Sequence, residues 1–229
     1  MAIVDFIGVG TDRSGTTFFH TCLTRHPLVV PGIRKEVRYF DKFWSRGPAW
    51  FARQFPIIDA QRDAGCITGE FSPNYLFDQR VPGRIRETAP SAKLFVLLRN
   101  PVDALYSYYW FCRRLKRFDY SFWAAIAINP QSMLNRRMYG DQLAHYFQFL
   151  DPEQFLIIRS EDMFLDPQVV IDRAFDFLGV PRFKMKGFPA RRVGKYPPME
   201  ERTRRFLTSF YRPLNALLAD LLGYSFDWD

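Results

Sequence analysis

Short apolar runs recur along the chain, and each is followed by polar or turn-forming residues. Runs bounded in this way are typical of strands that are buried on both faces of a parallel sheet. The clearest runs cover residues 3–9, 65–71, 93–98 and 154–159. Residues 29–30 predict a further, very short strand.

Between these runs, apolar residues recur at helical spacing. A helix is predicted from Phe18 onward, and His26-Pro27 ends it because the residue before a proline avoids the helical region. No element is predicted in the polar, arginine-rich segment that ends at Asn135, and residues 182–199 are predicted to be a loop. The other predicted helices are residues 49–55, 81–89, a helix that starts at Pro101, 140–150, 167–178 and 200–222.

Strands that alternate with helices predict an α/β fold. We expect a three-layer sandwich with a central, mainly parallel sheet, right-handed crossovers and a P-loop-like phosphate-binding loop. The chain has 229 residues and shows no internal repeat or low-complexity linker, so it is predicted to form a single domain over residues 1–229.

The first apolar run leads directly into Gly10–Thr17, which reads GTDRSGTT. A strand, a glycine-flanked loop and a helix in this order point several backbone N–H groups at one spot, which favours a bound phosphate. The Gly10-x4-Gly15 spacing is that of the P-loop, but Thr16 stands where an NTPase has the lysine that serves the β- and γ-phosphates. The cation of this loop, Arg13, comes earlier. The sequence therefore predicts a phosphate-type ligand without a metal-bridged triphosphate, and a simple connecting turn is the alternative.

A second unusual residue follows the run 93–98, at a strand end where ligands of an open parallel sheet bind. A P-loop NTPase needs an acid at a neighbouring strand end to help hold Mg²⁺, and this run is followed instead by Arg99. Ser107 lies one to two turns into the next helix and is predicted to face the same anion. The sequence therefore predicts a second anionic group here and no metal site. The alternative is that Arg99 caps the sheet edge or pairs with Asp103.

Charge and cysteine content narrow the function classes. The net charge of +8 favours an anionic ligand, but the charges are scattered and not gathered on a tail or one helix face, which argues against nucleic acid. The three cysteines are far apart and odd in number, so they indicate neither a disulfide framework nor a zinc site. With its first strand at residue 3 and no apolar run of about 18 residues, the chain is expected to be cytoplasmic and not inserted in a membrane.

These motifs carry a resemblance to the sulfotransferases that use 3′-phosphoadenosine 5′-phosphosulfate (PAPS). The resemblance is greatest to the heparan sulfate N- and O-sulfotransferases and their bacterial relatives. Residues 10–17 resemble the 5′-phosphosulfate loop of this family, and residues 98–109 resemble its 3′-phosphate motif. The similarity follows the whole chain in order and extends to residues 35–40, 69–75, 160–162, 196–199 and 226–228.

The resemblance implies which residues bind the nucleotide, with PAPS as the donor and the bisphosphate PAP as the product. Backbone amides and hydroxyls of the first loop would hold the 5′-phosphosulfate, and a basic loop near residues 191–195 would form a flap over the nucleotide. No metal ion is implied. The implied residues are Arg13, Ser14, Gly15, Thr16 and Thr17 at the 5′-phosphosulfate, Arg99 and Ser107 at the 3′-phosphate, and Arg192 and Lys195 in the flap.

Two of the matching residues are implied to be catalytic. Arg13 would neutralise the departing phosphate, and Glu36 would act as the general base that removes the proton of the acceptor. The alternative for Glu36 is a structural ion pair with Lys35 or Arg38, its neighbours in the sequence.

The predicted function is in-line transfer of a sulfuryl group from PAPS to a hydroxyl or amine of a carbohydrate or small-molecule acceptor. A P-loop-type kinase and a non-catalytic nucleotide-binding module are the alternatives, and the kinase would need a lysine in place of Thr16. Phe71 stands where relatives that act on sulfated glycans commonly carry a lysine, and this is expected to open the cleft to a more apolar acceptor.

Overall fold

Five strands form one sheet, namely β1 (Phe6–Gly10), β2 (Val29–Pro31), β3 (Ile67–Phe71), β4 (Lys93–Leu98) and β5 (Phe155–Arg159). In the computed structural model, which describes residues 3–191 and 194–228, the strand order is β2-β3-β1-β4-β5 and every pair is parallel. The carboxyl ends of the strands therefore meet at one edge, where open parallel sheets bind ligands. The predicted α/β fold with a parallel sheet is confirmed.

The helices follow the strands in the alternation that the sequence predicts. The predictions for residues 93–98 and 167–178 match a strand and a helix to the residue. Among the described helices, none combines the length and the apolar character that crossing a membrane requires. The described α-helices are α1 (Thr16–Leu23), α2 (Gly47–Ala52), α3 (Asp59–Asp63), α4 (Val81–Thr88), α5 (Pro101–Arg114), α6 (Phe122–Ile128), α7 (Pro130–Met133), α8 (Tyr139–Phe147), α9 (Ser160–Leu165), α10 (Pro167–Leu178) and α11 (Glu201–Leu222).

The chain divides into two compact units. The first unit consists of Met1–Leu98 and His145–Arg191 and contains all five strands. The second unit consists of Arg99–Ala144 and Arg192–Asp229 and is helical in its described part. The single domain over residues 1–229 stays a prediction.

Aromatic rings fill the core of the first unit beside β1 and β3. The rings of Phe71 and Phe95 stack with their centroids 5.9 Å apart, and Phe19 of α1 meets both rings edge-on. A Cβ at Gly8 would lie 1.9 Å from the Phe71 ring, so glycine is needed there to admit it. Phe71 is fully buried. The expectation that Phe71 opens the cleft to an apolar acceptor is therefore wrong, because this ring belongs to the core.

The second unit contains helices that the sequence pattern does not predict. The arginine-rich segment before Asn135 includes α6 and α7. The hydroxyl of Ser121 accepts a hydrogen bond from the N–H of Ala124 at 3.3 Å and so caps α6, and Pro130 starts α7. Both helices are short, and their apolar faces are too brief to show a clear period.

Candidate functional site

The loop that joins β1 to α1 has two residues at positive φ, Arg13 at 65° and Gly15 at 84°. Gly15 is the residue before the first turn of α1. The positive φ at Gly15 favours glycine, and a Cβ there would lie 2.8 Å from Cζ of Phe164. A residue with a side chain rarely adopts positive φ, and Arg13 is therefore held in this conformation by the rest of the loop.

Buried hydroxyl groups fix the loop. The N–H and the hydroxyl of Thr11 both donate to the carbonyl of Leu97 in β4, at 2.8 and 3.0 Å. The Thr11 hydroxyl also lies 2.7 Å from that of Ser14, and Ser160 donates to the Ser14 carbonyl at 3.0 Å. Ser14 is fully buried. Its hydroxyl therefore serves the loop itself, and contact of Ser14 with a ligand stays a prediction.

The N-terminus of α1 has the properties of an anion-binding site. The helix has no side-chain cap and no acidic residue in its first turn. The first N–H groups of an α-helix lack intrahelical acceptors and carry the positive end of the helix dipole. Thr16 and Thr17 add hydroxyl groups at the same point. A phosphate- or sulfate-type anion fits this set of donors.

Lys35 brings an ammonium group to the start of α1 from the loop that follows β2. Its Nζ donates to Oγ1 of Thr16 and to Oγ1 of Thr17, each at 3.3 Å. The sequence lacks the lysine that an NTPase carries within this loop, and here a positive charge arrives from another segment. The sequence-based prediction missed Lys35 because it lies 19 residues from Thr16. Its position directly before Glu36 is the signal that could have identified it.

Glu36, the predicted general base, lies beside this ammonium group. Its Oε1 is 3.5 Å from Nζ of Lys35, and its side chain is 46% exposed. Arg38, the other cation named above as a partner, pairs with Asp41, with Nε 2.6 Å from Oδ2. A long and exposed ion pair contributes little to stability. The carboxylate of Glu36 is therefore accessible to solvent, and its role as the general base stays a prediction.

The pKa of the His20 imidazole in α1 is sensitive to the charge of Lys35. Burial lowers the pKa of His20 to about 4, and the Lys35 ammonium group adds to this effect. The ring packs edge-on against Phe71 with centroids 5.6 Å apart. His20 is therefore neutral at neutral pH and belongs to the packing behind the site.

Two predicted nucleotide-binding residues, Arg99 and Ser107, belong to the second unit. Arg99 precedes Asn100, whose side chain caps α5, and Ser107 lies on α5 and is buried. Asp103, named above as an alternative partner of Arg99, pairs with Arg204 at 2.7 Å. The roles of Arg99 and Ser107 stay predictions.

The predicted basic flap is described in part. Arg192 lies outside the described residues, and Lys195 is exposed in the second unit. Arg191 belongs to the first unit, where its guanidinium carbon lies 3.9 Å from the ring centroid of Phe164. This is the ring that a side chain at Gly15 would strike. Arg191, the first residue of the predicted flap, therefore lies close to the residues that surround the loop after β1, although the prediction chose Arg192 and Lys195 as the binding residues.

Comparisons with known proteins give matches that cover most or all of the chain. The family model described as a sulfotransferase domain matches residues 4–188. The chain is 29% identical over 262 residues to heparan sulfate glucosamine 3-O-sulfotransferase 6 of Mus musculus, covering 96% of this chain and 72% of that protein. It is 28% identical over 263 residues to bifunctional heparan sulfate N-deacetylase/N-sulfotransferase 3 of Homo sapiens, covering 95% of this chain but 29% of that protein. The solved structure of a sulfotransferase from Alicyclobacillus acidocaldarius matches with a TM-score of 0.84 and 26% identity, covering 100% of this chain and 99% of that one.

Proposed function

The chain belongs to the sulfotransferase family, the PAPS-dependent class of transferases, and we propose that it moves a sulfuryl group from PAPS to a hydroxyl or amine of a carbohydrate or small-molecule acceptor. The observation that carries this proposal is the position of Lys35. Its ammonium group contacts the hydroxyls of Thr16 and Thr17 and lies beside the carboxylate of Glu36. In this proposal the ammonium group of Lys35 stabilises both an anion bound at the start of α1 and the carboxylate of Glu36, the proton acceptor.

The 5′-phosphosulfate is assigned to the loop after β1 and to the N-terminus of α1. Backbone N–H groups, the threonine hydroxyls, Arg13 and Lys35 form a donor set that suits a phosphosulfate group. The 3′-phosphate is assigned to Arg99 and Ser107, which belong to the second unit. This assignment rests on the resemblance and on residue type, and not on a distance to the loop after β1.

Three charged residues of the first unit, Arg13, Lys35 and Glu36, are assigned tasks in the reaction. PAPS supplies an activated sulfuryl group, whose bond to the 5′-phosphate breaks as the bond from sulfur to the acceptor forms. Glu36 takes the proton that the acceptor loses. Arg13 and Lys35 stabilise the negative charge that the broken bond leaves on the phosphate of PAP.

Binding of PAP tests the proposal directly. We expect PAP to raise the midpoint of thermal unfolding, because a ligand that binds only the folded state stabilises that state. EDTA is expected to leave the shift unchanged, since the assigned site uses Arg13, Lys35 and backbone N–H groups in place of a metal ion. A shift with ATP and Mg²⁺ but none with PAP would contradict the proposal and favour a P-loop-type kinase.

Substitution of two arginines separates the two phosphates of PAP. We expect Arg13→Ala to weaken the binding of both PAP and adenosine 5′-phosphate, whereas Arg99→Ala weakens PAP alone, since adenosine 5′-phosphate has no 3′-phosphate. Loss of a charge-assisted hydrogen bond worth about 1.5–3 kcal/mol raises Kd by about 10- to 150-fold. Isothermal titration calorimetry measures both ligands, and Arg182→Ala, an exposed arginine paired with Asp176, is the matched control. An equal loss for both ligands in Arg99→Ala would refute its assignment to the 3′-phosphate.

Sugar hydroxyls, sugar amines and phenols are the acceptor groups to screen with sulfur-labelled PAPS. Transfer to none of them, in a protein that binds PAP, would favour the non-catalytic nucleotide-binding module. The cytoplasmic location stays a prediction.

A further inference from the structure

A fully buried carboxyl group, that of Glu70, lies one residue before the end of β3. Three groups donate hydrogen bonds to it. The N–H of Val37 and the hydroxyl of Ser72 donate to Oε2 at 3.0 and 2.8 Å, and the hydroxyl of Tyr75 donates to Oε1 at 2.6 Å. A buried carboxylate is tolerated when donors surround it in this way. We call Glu70, Ser72 and Tyr75 the Glu70 network.

The Glu70 network holds the backbone of residues 37–40. In addition to the direct bond to Glu70, the N–H of Arg38 donates to the Ser72 hydroxyl at 3.1 Å. The N–H of Phe40 donates to the Tyr75 hydroxyl at 3.3 Å. Most of the N–H groups of this segment therefore connect to one carboxyl group, directly or through one hydroxyl. The two residues just before the segment are the cation and the proposed base of the site.

The backbone of Lys35 is also tied to β3, because the N–H of Phe71 donates to its carbonyl at 3.2 Å. We propose that Glu70 is a positioning residue, which keeps Lys35 and Glu36 aligned with the loop after β1 for sulfuryl transfer. This inference rests on the proposed function, since it concerns the same site. Glu70 itself is buried away from the acceptor and takes no part in the proton transfer.

The charge state of Glu70 makes this role dependent on pH. Burial raises the pKa of Glu70 from 4.5 to about 7, and the carboxylate of Asp41 adds to the rise, against the hydrogen bonds from the network and Val37. Asp41 is in turn paired with Arg38. A protonated Glu70 can keep its contact with a hydroxyl of the network only by donating to it, so that hydroxyl loses the acceptor it now has and the network rearranges. Turnover is therefore expected to rise as the pH rises through about 7.

Stability is expected to change in the opposite direction. Because the pKa of Glu70 is raised in the folded state, the folded protein keeps a proton between about pH 4.5 and 7 that the unfolded chain has released. The contribution of this proton to the free energy of unfolding is complete below pH 4.5 and is lost as the pH rises through about 7. A residue with a packing role alone would not make turnover rise while stability falls.

Glu70→Gln tests the inference. The amide fills the same space but replaces one acceptor oxygen with an NH₂ group, so at least one of the three donors to Glu70 loses its present acceptor and the support of the segment 37–40 is weakened. We expect kcat at pH 8 to fall by at least about tenfold, in line with the cost of a small misplacement, and the Kd for PAP to rise by much less, because Lys35 keeps its charge. The pH dependence of both kcat and stability near pH 7 is expected to disappear. Glu153→Gln, the same change at an exposed position before the amino end of β5, is expected to behave as the wild type.

Tyr75→Phe decides the matter if Glu70→Gln does not fold. It keeps the buried ring and removes one donor to Glu70, so the activity limb is expected to move to higher pH and kcat at pH 7 to fall. Wild-type kcat and an unmoved limb in the folded variants would overturn the inference, and so would PAP affinity that falls in step with kcat. A wild-type protein that binds no PAP would refute the proposed function instead, and calorimetry separates the two results.

Discussion

Glu36→Gln is expected to reduce kcat by about 10²- to 10⁴-fold, the usual contribution of a positioned general base, and to leave the affinity for PAP unchanged. The carboxylate is the group that accepts the acceptor's proton in the proposed reaction, and an amide of the same shape cannot accept it. The side chain is 46% exposed and its ion pair with Lys35 is 3.5 Å long. The fold therefore does not depend on its charge.

Two measurements identify this effect as catalytic. The midpoint of thermal unfolding and its shift on PAP addition are expected to match those of the wild type, and single-turnover transfer from labelled PAPS is expected to be slow. Glu153→Gln is again the control, because that carboxylate is exposed and lies just before the amino end of β5, whereas the site lies at the carboxyl ends of the strands. Turnover of Glu36→Gln within about twofold of the wild type would show that another group takes the proton.

The elements that place this site are those that the sequence predicts best. β4 is an apolar run that ends at Leu98, and α10 starts at Pro167 and ends just before Gly179, so periodicity and end signals agree. The loop after β1 is predicted because a buried strand leads directly into a segment with glycine at both ends. Where these signals are weak, as in α6 and α7, the prediction fails.

The contacts that complete the site could not be predicted in the same way. Lys35 meets Thr16 across 19 residues, and the N–H of Val37 meets Glu70 across 33 residues. Only the parallel pairing of β2, β3 and β1 brings these segments together. For Phe71 the sequence predicted a contact with the acceptor that the buried position of the ring excludes. Adjacent residues of a strand point to opposite faces, so a strand that turns Glu70 toward the segment 37–40 turns Phe71 into the core.

Lys35→Met is expected to reduce turnover by about 10²- to 10³-fold, the usual cost of removing one group that stabilises developing charge. The Nζ of Lys35 contacts Thr16 and Thr17 at the start of α1, where the departing phosphate is assigned. Methionine keeps the length of the side chain and removes its charge. In contrast to Glu36→Gln, this change is expected to weaken PAP binding as well, because the ammonium group attracts the phosphate before and after transfer.

The imidazole of His20 gives this prediction a readout that does not depend on activity. The ammonium group of Lys35 contributes to the lowered pKa of His20, about 4, so Lys35→Met is expected to raise that pKa while burial keeps it below its ordinary value. An NMR titration of the ring measures the change, and Lys184→Met, an exposed lysine of the same unit, is expected to leave it unaltered. A raised pKa with wild-type turnover would place the ammonium group at α1 but outside the reaction. If neither the pKa of His20 nor turnover changed, Lys35 would not belong to the site.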